Sequence, residues 1–195
     1  MEPDLDRIQA ETKDVCHIPV AQFLQFGERR VGATRLAAPE DAVRELERHL
    51  VLCYSGASRL SAEVHARVWR RYAEGDRAVV RALDGLRACA LEMRTALAKG
   101  RLSVVGDILS RNWAHQRALG EGMETGVMRA LARAAAAAGV AGYKACGAGA
   151  GGCMVFLAKA GRAFAVAEAL RAAGGTVLRF RFDTTGVVSW LGTER

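Results

Sequence analysis

Tyr143 to Leu157 reads YKACGAGAGGCMVFL: a short apolar run, a loop built almost wholly of Gly and Ala, and a second apolar run. Such a loop is costly to order, because glycine surrenders more backbone freedom on folding than any other residue. Glycines at 147, 149, 151 and 152 therefore need a reason. Close approach supplies one. Without Cβ atoms a ligand or another backbone can come near, and successive N–H groups can point at an anion. The alternative is a tight hairpin, which needs only one or two glycines.

Gly147, Gly149 and Gly152 also satisfy the dinucleotide fingerprint G-x-G-x-x-G. That motif must open a helix, so that the pyrophosphate meets free N–H groups at the helix start. Here Cys153, Met154, Val155, Phe156 and Leu157 follow, an apolar run that is too short for a helix and contains a β-branched and an aromatic residue. The segment reads as strand, Gly-rich turn, strand, and dinucleotide binding is set aside.

The 195 residues suffice for one well-buried core, and 51% hydrophobic with 25% charged residues is a globular composition. No apolar run reaches the length of a membrane span, and MEPDLDRIQAETKD lacks the basic and apolar regions of a signal peptide, so a cytoplasmic protein with no membrane partner is expected. Cysteines at 16, 53, 89, 146 and 153 form no C-x-x-C pair and sit mostly in apolar stretches. They read as reduced core residues, with neither disulfide nor metal expected. His17, His49, His65 and His115 lack metal-ligand spacing and read as surface or satisfied core residues. The net charge of +7 invites a nucleic-acid reading, but arginines alternate with acids and no basic run carries interleaved aromatics. Attraction to small phosphorylated anions, or merely a solvated Arg-rich surface, accounts for the charge.

Along the chain, residues 1–20 show no clean period and Pro19 interrupts any helix there. FLQFGERRVGATRL, 23–36, holds two strand-like pieces and reads as a hairpin. Pro39, Glu40 and Asp41 start a helix that places Val43, Leu46 and Leu50 on one side. LVLCY, 50–54, fits a central strand buried on both faces. Ser61 caps a helix broken at Gly75, and a long amphipathic helix runs from Asp76 to Gly100 through Val79, Leu83, Leu86, Ala90, Met93 and Leu97. A further helix spans about Ser103 to Leu119, and an Ala-rich one runs from the Thr125 cap to Gly139. After the loop comes a helix over 161–173, then TVLRFRFD, in which Leu178, Phe180 and Phe182 alternate with Arg179 and Arg181 as the core face of a last strand.

Strand, helices, strand, Gly loop, strand, helix, strand is the order of an α+β, ferredoxin-like split βαβ domain. Extra helices are inserted after its first strand. An antiparallel sheet covered by helices on one face is the expected architecture.

KACGAGAGGC resembles the third motif of the GHMP kinase superfamily, which includes galactokinase, homoserine kinase, mevalonate kinase and phosphomevalonate kinase. The motif's usual form is a Lys-containing strand end followed by Gly-Ala-Gly-Gly-Gly-Gly and a small residue; Ala150 replaces one glycine here. LVLCYSGASRLSAEV at 50–64 and NWAHQRALGEGM at 112–123 look like the D-glycero-D-manno-heptose 7-phosphate kinase branch. Together the resemblance covers roughly residues 23 to 183.

What the resemblance implies is the C-terminal domain of an ATP-dependent kinase that phosphorylates a hydroxyl of a sugar or sugar phosphate, using Mg²⁺. Residues 41–195 would be that domain, and 1–40 a remnant of the N-terminal kinase domain or a linking hairpin. The family's phosphate loop, Pro-x-x-x-Gly-Leu-Gly-Ser-Ser-Ala, has no counterpart in these residues. The expected partners are thus a small phosphorylated metabolite and an N-terminal kinase half, in cis or in trans, with a homodimer also open.

Implied substrate- and phosphate-binding residues are Gly147, Ala148, Gly149, Ala150, Gly151, Gly152, Lys144, Ser58 and Arg59. Lys144 could meet a phosphate or be a solvated strand-end lysine, and Ser58 and Arg59 match an SR of the heptose kinase motif or lie in a polar loop. Asp14 falls where the family's catalytic Asp lies, able to orient or deprotonate the acceptor hydroxyl. Yet Val15 replaces the usual Gln, and Ala21 and Gln22 replace a Gly-Gly. A non-catalytic ligand-binding or regulatory module is the rival reading, because this fold class hosts many functions.

Overall fold

Helix starts and stops are written into this chain by capping residues and glycines, and the computed structural model follows them. It describes residues 22–27, 30–56 and 61–183. These fall into two compact units, one comprising Pro39–Phe180 and the other including the residues up to Ala38 and from Arg181. In the latter, β1 (Gln22–Phe26) and β2 (Val31–Arg35) pair as the expected antiparallel hairpin, in the register Phe23↔Thr34.

The larger unit contains α1 (Glu40–His49), β3 (Leu50–Tyr54), α2 (Ser61–Ala73), α3 (Arg77–Ala98), α4 (Val105–Ala118), α5 (Gly126–Ala138), β4 (Val140–Ala145), β5 (Cys153–Ala158), α6 (Ala163–Ala172) and β6 (Thr176–Leu178). Asp76 caps α3 by accepting from the N–H groups of Ala78 and Val79, which satisfies two donors that have no partner inside the helix. The same carboxylate pairs with Arg71 at 2.7 Å, tying the end of α2 to the start of α3. Thr125 caps α5 through Met128 N–H, and Gly139, at φ 99°, ends it in the left-handed conformation that favours glycine.

The four strands form one antiparallel sheet in the order β4-β5-β3-β6. Numbered within the unit this is 2-3-1-4, the split βαβ arrangement that the element order predicts. Val51, Cys53, Tyr143, Ala145, Met154, Phe156 and Ala158 share one face and pack against Met128, Leu131 and Ala135 of α5 and Val166 and Leu170 of α6. Phe156, Met128 and Leu131 are fully buried. Each such side chain contributes about 1.5–3 kcal/mol relative to exposure.

Helices do not cover only one face, as the sequence suggests. Leu157 points the other way and is buried with Leu46 of α1, Cys89 of α3 and Val105 and Ile108 of α4. The apolar run MVFLA supplies both faces of β5, so both are covered at this end of the strand. The edge strand β4 is closed off by α4: a Cβ on Gly142 would lie 1.7 Å from the carbonyl oxygen of Gly106, so only glycine allows this approach.

The last strand also departs from its reading. β6 stops at Leu178, and its register with β3 sets Val177 opposite Cys53 on the core face while Leu178 lies opposite Leu52 and is 37% exposed. A one-residue change of phase exchanges the faces of a strand, and here pairing with β3 overrides the Leu178, Phe180, Phe182 alternation. No helix among the described residues is long and apolar enough to cross a membrane.

Candidate functional site

The loop between β4 and β5 is fixed by its own backbone and by a brace beneath it. Gly147, Gly149, Ala150, Gly151 and Gly152 all have positive φ, at 68°, 84°, 62°, 130° and 75°. Ala150 is the sole non-glycine with positive φ among the described residues, and it is 2% exposed. A left-handed alanine costs roughly 1–2 kcal/mol. The cost is offset by a 2.7 Å hydrogen bond from Ala150 N–H to the Met123 carbonyl and by packing against Val64, Val79, Ala82 and Leu119.

Three further contacts hold the loop. Gln116, on α4 and only 6% exposed, donates from Nε2 to the Gly147 carbonyl at 2.7 Å. Cys146 N–H donates to the Cys153 carbonyl at 2.8 Å, and Ser55 N–H to the Gly152 carbonyl at 2.9 Å. The turn carrying Met123 is itself anchored, since Glu124 accepts from Trp113 Nε1 at 3.3 Å and lies within 3.4 Å of Arg117 and 3.7 Å of Arg129.

This arrangement sorts the glycines by role. A Cβ on Gly149 would meet the Met123 carbonyl oxygen at 2.9 Å, so this glycine admits neighbouring backbone from inside the protein. A Cβ on Gly147 or Gly152 would meet nothing within 4 Å. Those two face open space, and positive φ alone accounts for them. Successive positive, negative and positive φ at Gly147, Ala148 and Gly149 form the alternation that turns N–H groups toward a common point. None of these three N–H groups has an acceptor among the described residues. What the loop offers chemically is a small set of preorganised donors for an anion.

Lys144 stands on β4 just before the loop, opposite Val155 and on the face away from the α5–α6 core. It is half-buried, and no carboxylate among the described residues lies within ion-pair distance. Desolvation pushes its ammonium below the usual lysine value, with Cys146 and Cys89 pulling weakly the other way. A cation left short of solvent favours an anionic partner such as a phosphate or carboxylate.

Of the residues singled out from sequence, the structure describes Lys144, on β4, and the 147–152 loop that follows that strand. The chain leaves β3 at Ser55 beside Gly152, but Asp14, Ser58 and Arg59 lie outside the described residues. Cys146 is exposed and Cys153 half-buried, which corrects their reading as core residues; Cys53 and Cys89 are buried as expected. Gln116 and the Met123 carbonyl, which brace the loop, are parts that sequence reading did not single out. The available signal was a glutamine three residues after Trp113 on the inward side of an amphipathic helix.

Residues 93–176 match the family described as GHMP kinases C terminal, and this part of the chain is a GHMP kinase C-terminal domain. The chain is 26% identical over 169 residues to D-glycero-alpha-D-manno-heptose 7-phosphate kinase from Campylobacter jejuni, covering 86% of this chain and 49% of that protein. It is 31% identical over 147 residues to mevalonate kinase from Pyrococcus abyssi, covering 73% and 43%. In fold it is similar to L. major mevalonate kinase, solved in complex with R-mevalonate, with a TM-score of 0.70, 18% identity and coverage of 85% and 50%. The chain spans about half the length of the curated relatives it matches.

Proposed function

We propose that this chain is the substrate-binding half of an ATP-dependent kinase that phosphorylates a hydroxyl of a sugar or sugar phosphate. An N-terminal half, in cis or in trans, would supply the phosphate loop and most of the nucleotide contacts. The observation that carries the reading is the braced loop, in which the N–H groups of Gly147, Ala148 and Gly149 have no acceptor among the described residues; the desolvated Lys144 stands on the strand that leads into it. In this reading ATP provides the transferred phosphoryl group. The loop and Lys144 bind and orient a phosphate, the segment with Ser58 and Arg59 reaches the acceptor, and Asp14 orients or deprotonates the acceptor hydroxyl.

Phosphoryl transfer depends on positioning and charge neutralisation more than on covalent chemistry by the protein. A rigid donor set suits that task, because it needs no reorganisation when charge moves. Among the described residues no group of three or more His, Cys, Asp or Glu is placed to hold a metal. In this reading Mg²⁺ would be held mainly through the N-terminal half, where it would neutralise charge on the transferring phosphoryl group.

The test is reconstitution. Co-expression with an N-terminal kinase half bearing the Gly-Leu-Gly-Ser-Ser-Ala loop should yield ATP-dependent phosphorylation within a panel of sugars and sugar phosphates, and neither half alone should do so. Turnover by this chain alone would contradict the division of labour. A non-catalytic ligand-binding module is the second reading, because this fold class hosts many functions; ligand binding without transfer in the reconstituted pair would select it.

A further inference from the structure

Two cysteines border the Gly-rich loop. Cys146 follows β4 and Cys153 opens β5, and the hydrogen bond from Cys146 N–H to the Cys153 carbonyl extends the ladder one step beyond the pair Ala145↔Met154. Side chains alternate along a strand, so with Ala145 and Met154 in the core, both cysteines project from the opposite face and oppose each other. Opposed residues joined by a ladder hydrogen bond have Cα atoms about 5.5 Å apart, within the roughly 4.4–6.8 Å that a disulfide spans. Both are free thiols, and Cys146 is exposed. Cys53 is fully buried on the other face, so it does not compete.

We propose that Cys146 and Cys153 form a redox modification site, a dithiol that a small disulfide such as oxidised glutathione converts into a cross-strand cystine across the neck of the loop. The Cys146 thiolate attacks one sulfur of the small disulfide, forming a mixed disulfide and releasing one small thiolate. Cys153, after losing its proton to solvent, attacks Cys146 Sγ and expels the second. Two protein thiols thus give up two electrons and two protons, and one small disulfide becomes two small thiols. Although the residue is exposed, partial desolvation of its sulfur and the neighbouring Cys153 hold the Cys146 thiol above its ordinary range while Lys144 pulls the other way, so the first step is faster in alkaline than in neutral solution. The product tethers both ends of the 147–152 loop. This inference stands independently of the kinase reading.

Incubation of the full chain with oxidised glutathione, followed by trypsin and mass spectrometry, tests it. Cleavage after Lys144 and Lys159 leaves both cysteines in one peptide, which should appear lighter by two hydrogen atoms. Cys146→Ser should abolish that product, Cys153→Ser should stop at a glutathione adduct on residue 146, and Cys53→Ser and Cys89→Ser should leave it unchanged. The link should form at least about tenfold faster in the folded chain than in urea, because the fold raises the effective concentration of one thiol at the other. Overturning results are a persistent adduct at Cys146 in the unsubstituted chain, no modification, a link to Cys16, Cys53 or Cys89, or equal rates folded and unfolded.

Discussion

Gln116 and Gly147 are 31 positions apart in sequence and joined by a 2.7 Å hydrogen bond from the Gln116 carboxamide to the Gly147 carbonyl. The bond holds the first carbonyl of the loop against α4. With that carbonyl turned inward, the N–H groups of Gly147, Ala148 and Gly149 have no acceptor among the described residues, and the proposed role is to meet a ligand there.

Gln116→Leu removes the donor while keeping the volume roughly similar. Losing a neutral hydrogen bond should cost about 0.5–1.5 kcal/mol of stability, leaving the fold intact by circular dichroism. Affinity for a phosphorylated ligand should fall about tenfold, equivalent to 1.4 kcal/mol, because the loop is no longer preorganised. Calorimetric titration beside thermal unfolding separates the two effects; a stability loss with unchanged affinity would make Gln116 a packing residue only.

The glycines give an ordered prediction. Gly149→Val combines a β-branched side chain at positive φ with a contact to the Met123 carbonyl oxygen, 2.9 Å from the position of its Cβ. Gly147→Ala meets open space and bears only the left-handed conformation, roughly 1–2 kcal/mol. Thermal unfolding should therefore show a clearly larger loss for Gly149→Val, whose neighbours Ala148 and Ala150 are part of a buried cluster. Equal losses would mean that the turn carrying Met123 yields freely.

Lys144 ties the site to pH. Its folded-state value is lowered by desolvation, so between that value and the ordinary 10.5 the unfolded chain binds more protons than the folded one. Stability attributable to this group rises with pH across that window, and below it the fold bears the full cost of a desolvated charge. Lys144→Met should accordingly raise the midpoint of unfolding at neutral pH and remove that part of the alkaline rise. It should also weaken binding of a phosphorylated ligand by about tenfold, since the ammonium gains a partner there. Denaturant titrations at several pH values, with and without ligand, check both signs.

Much of this was legible in the sequence for identifiable reasons. Asp76, Thr125, Gly139 and Pro39 bound helices because capping is local chemistry, and the order of elements around the Gly loop gave the split βαβ topology. What escaped was set by partners distant in sequence. The phase of β6 depends on which residue of β3 it meets, and Val177 rather than Leu178 faces the core because it pairs with Cys53. The roles of the loop glycines behave likewise: one sequence pattern conceals that Gly149 faces Met123 and Gly147 faces solvent. Gln116 was hidden for the same reason, its partner lying in a loop it precedes by a helix and a strand.

The central claim is that the 147–152 loop and Lys144 receive the phosphate of a small metabolite, and amide chemical shifts test it most directly. In the isotopically labelled full chain, titration with a sugar phosphate such as a heptose phosphate should give saturable shifts of the Gly147, Ala148 and Gly149 amides and of the Lys144 side chain. The unphosphorylated sugar should give much smaller ones, and amides of α2 and α6 should stay fixed. Saturable binding that moves other residues and leaves the loop amides unchanged would contradict the account.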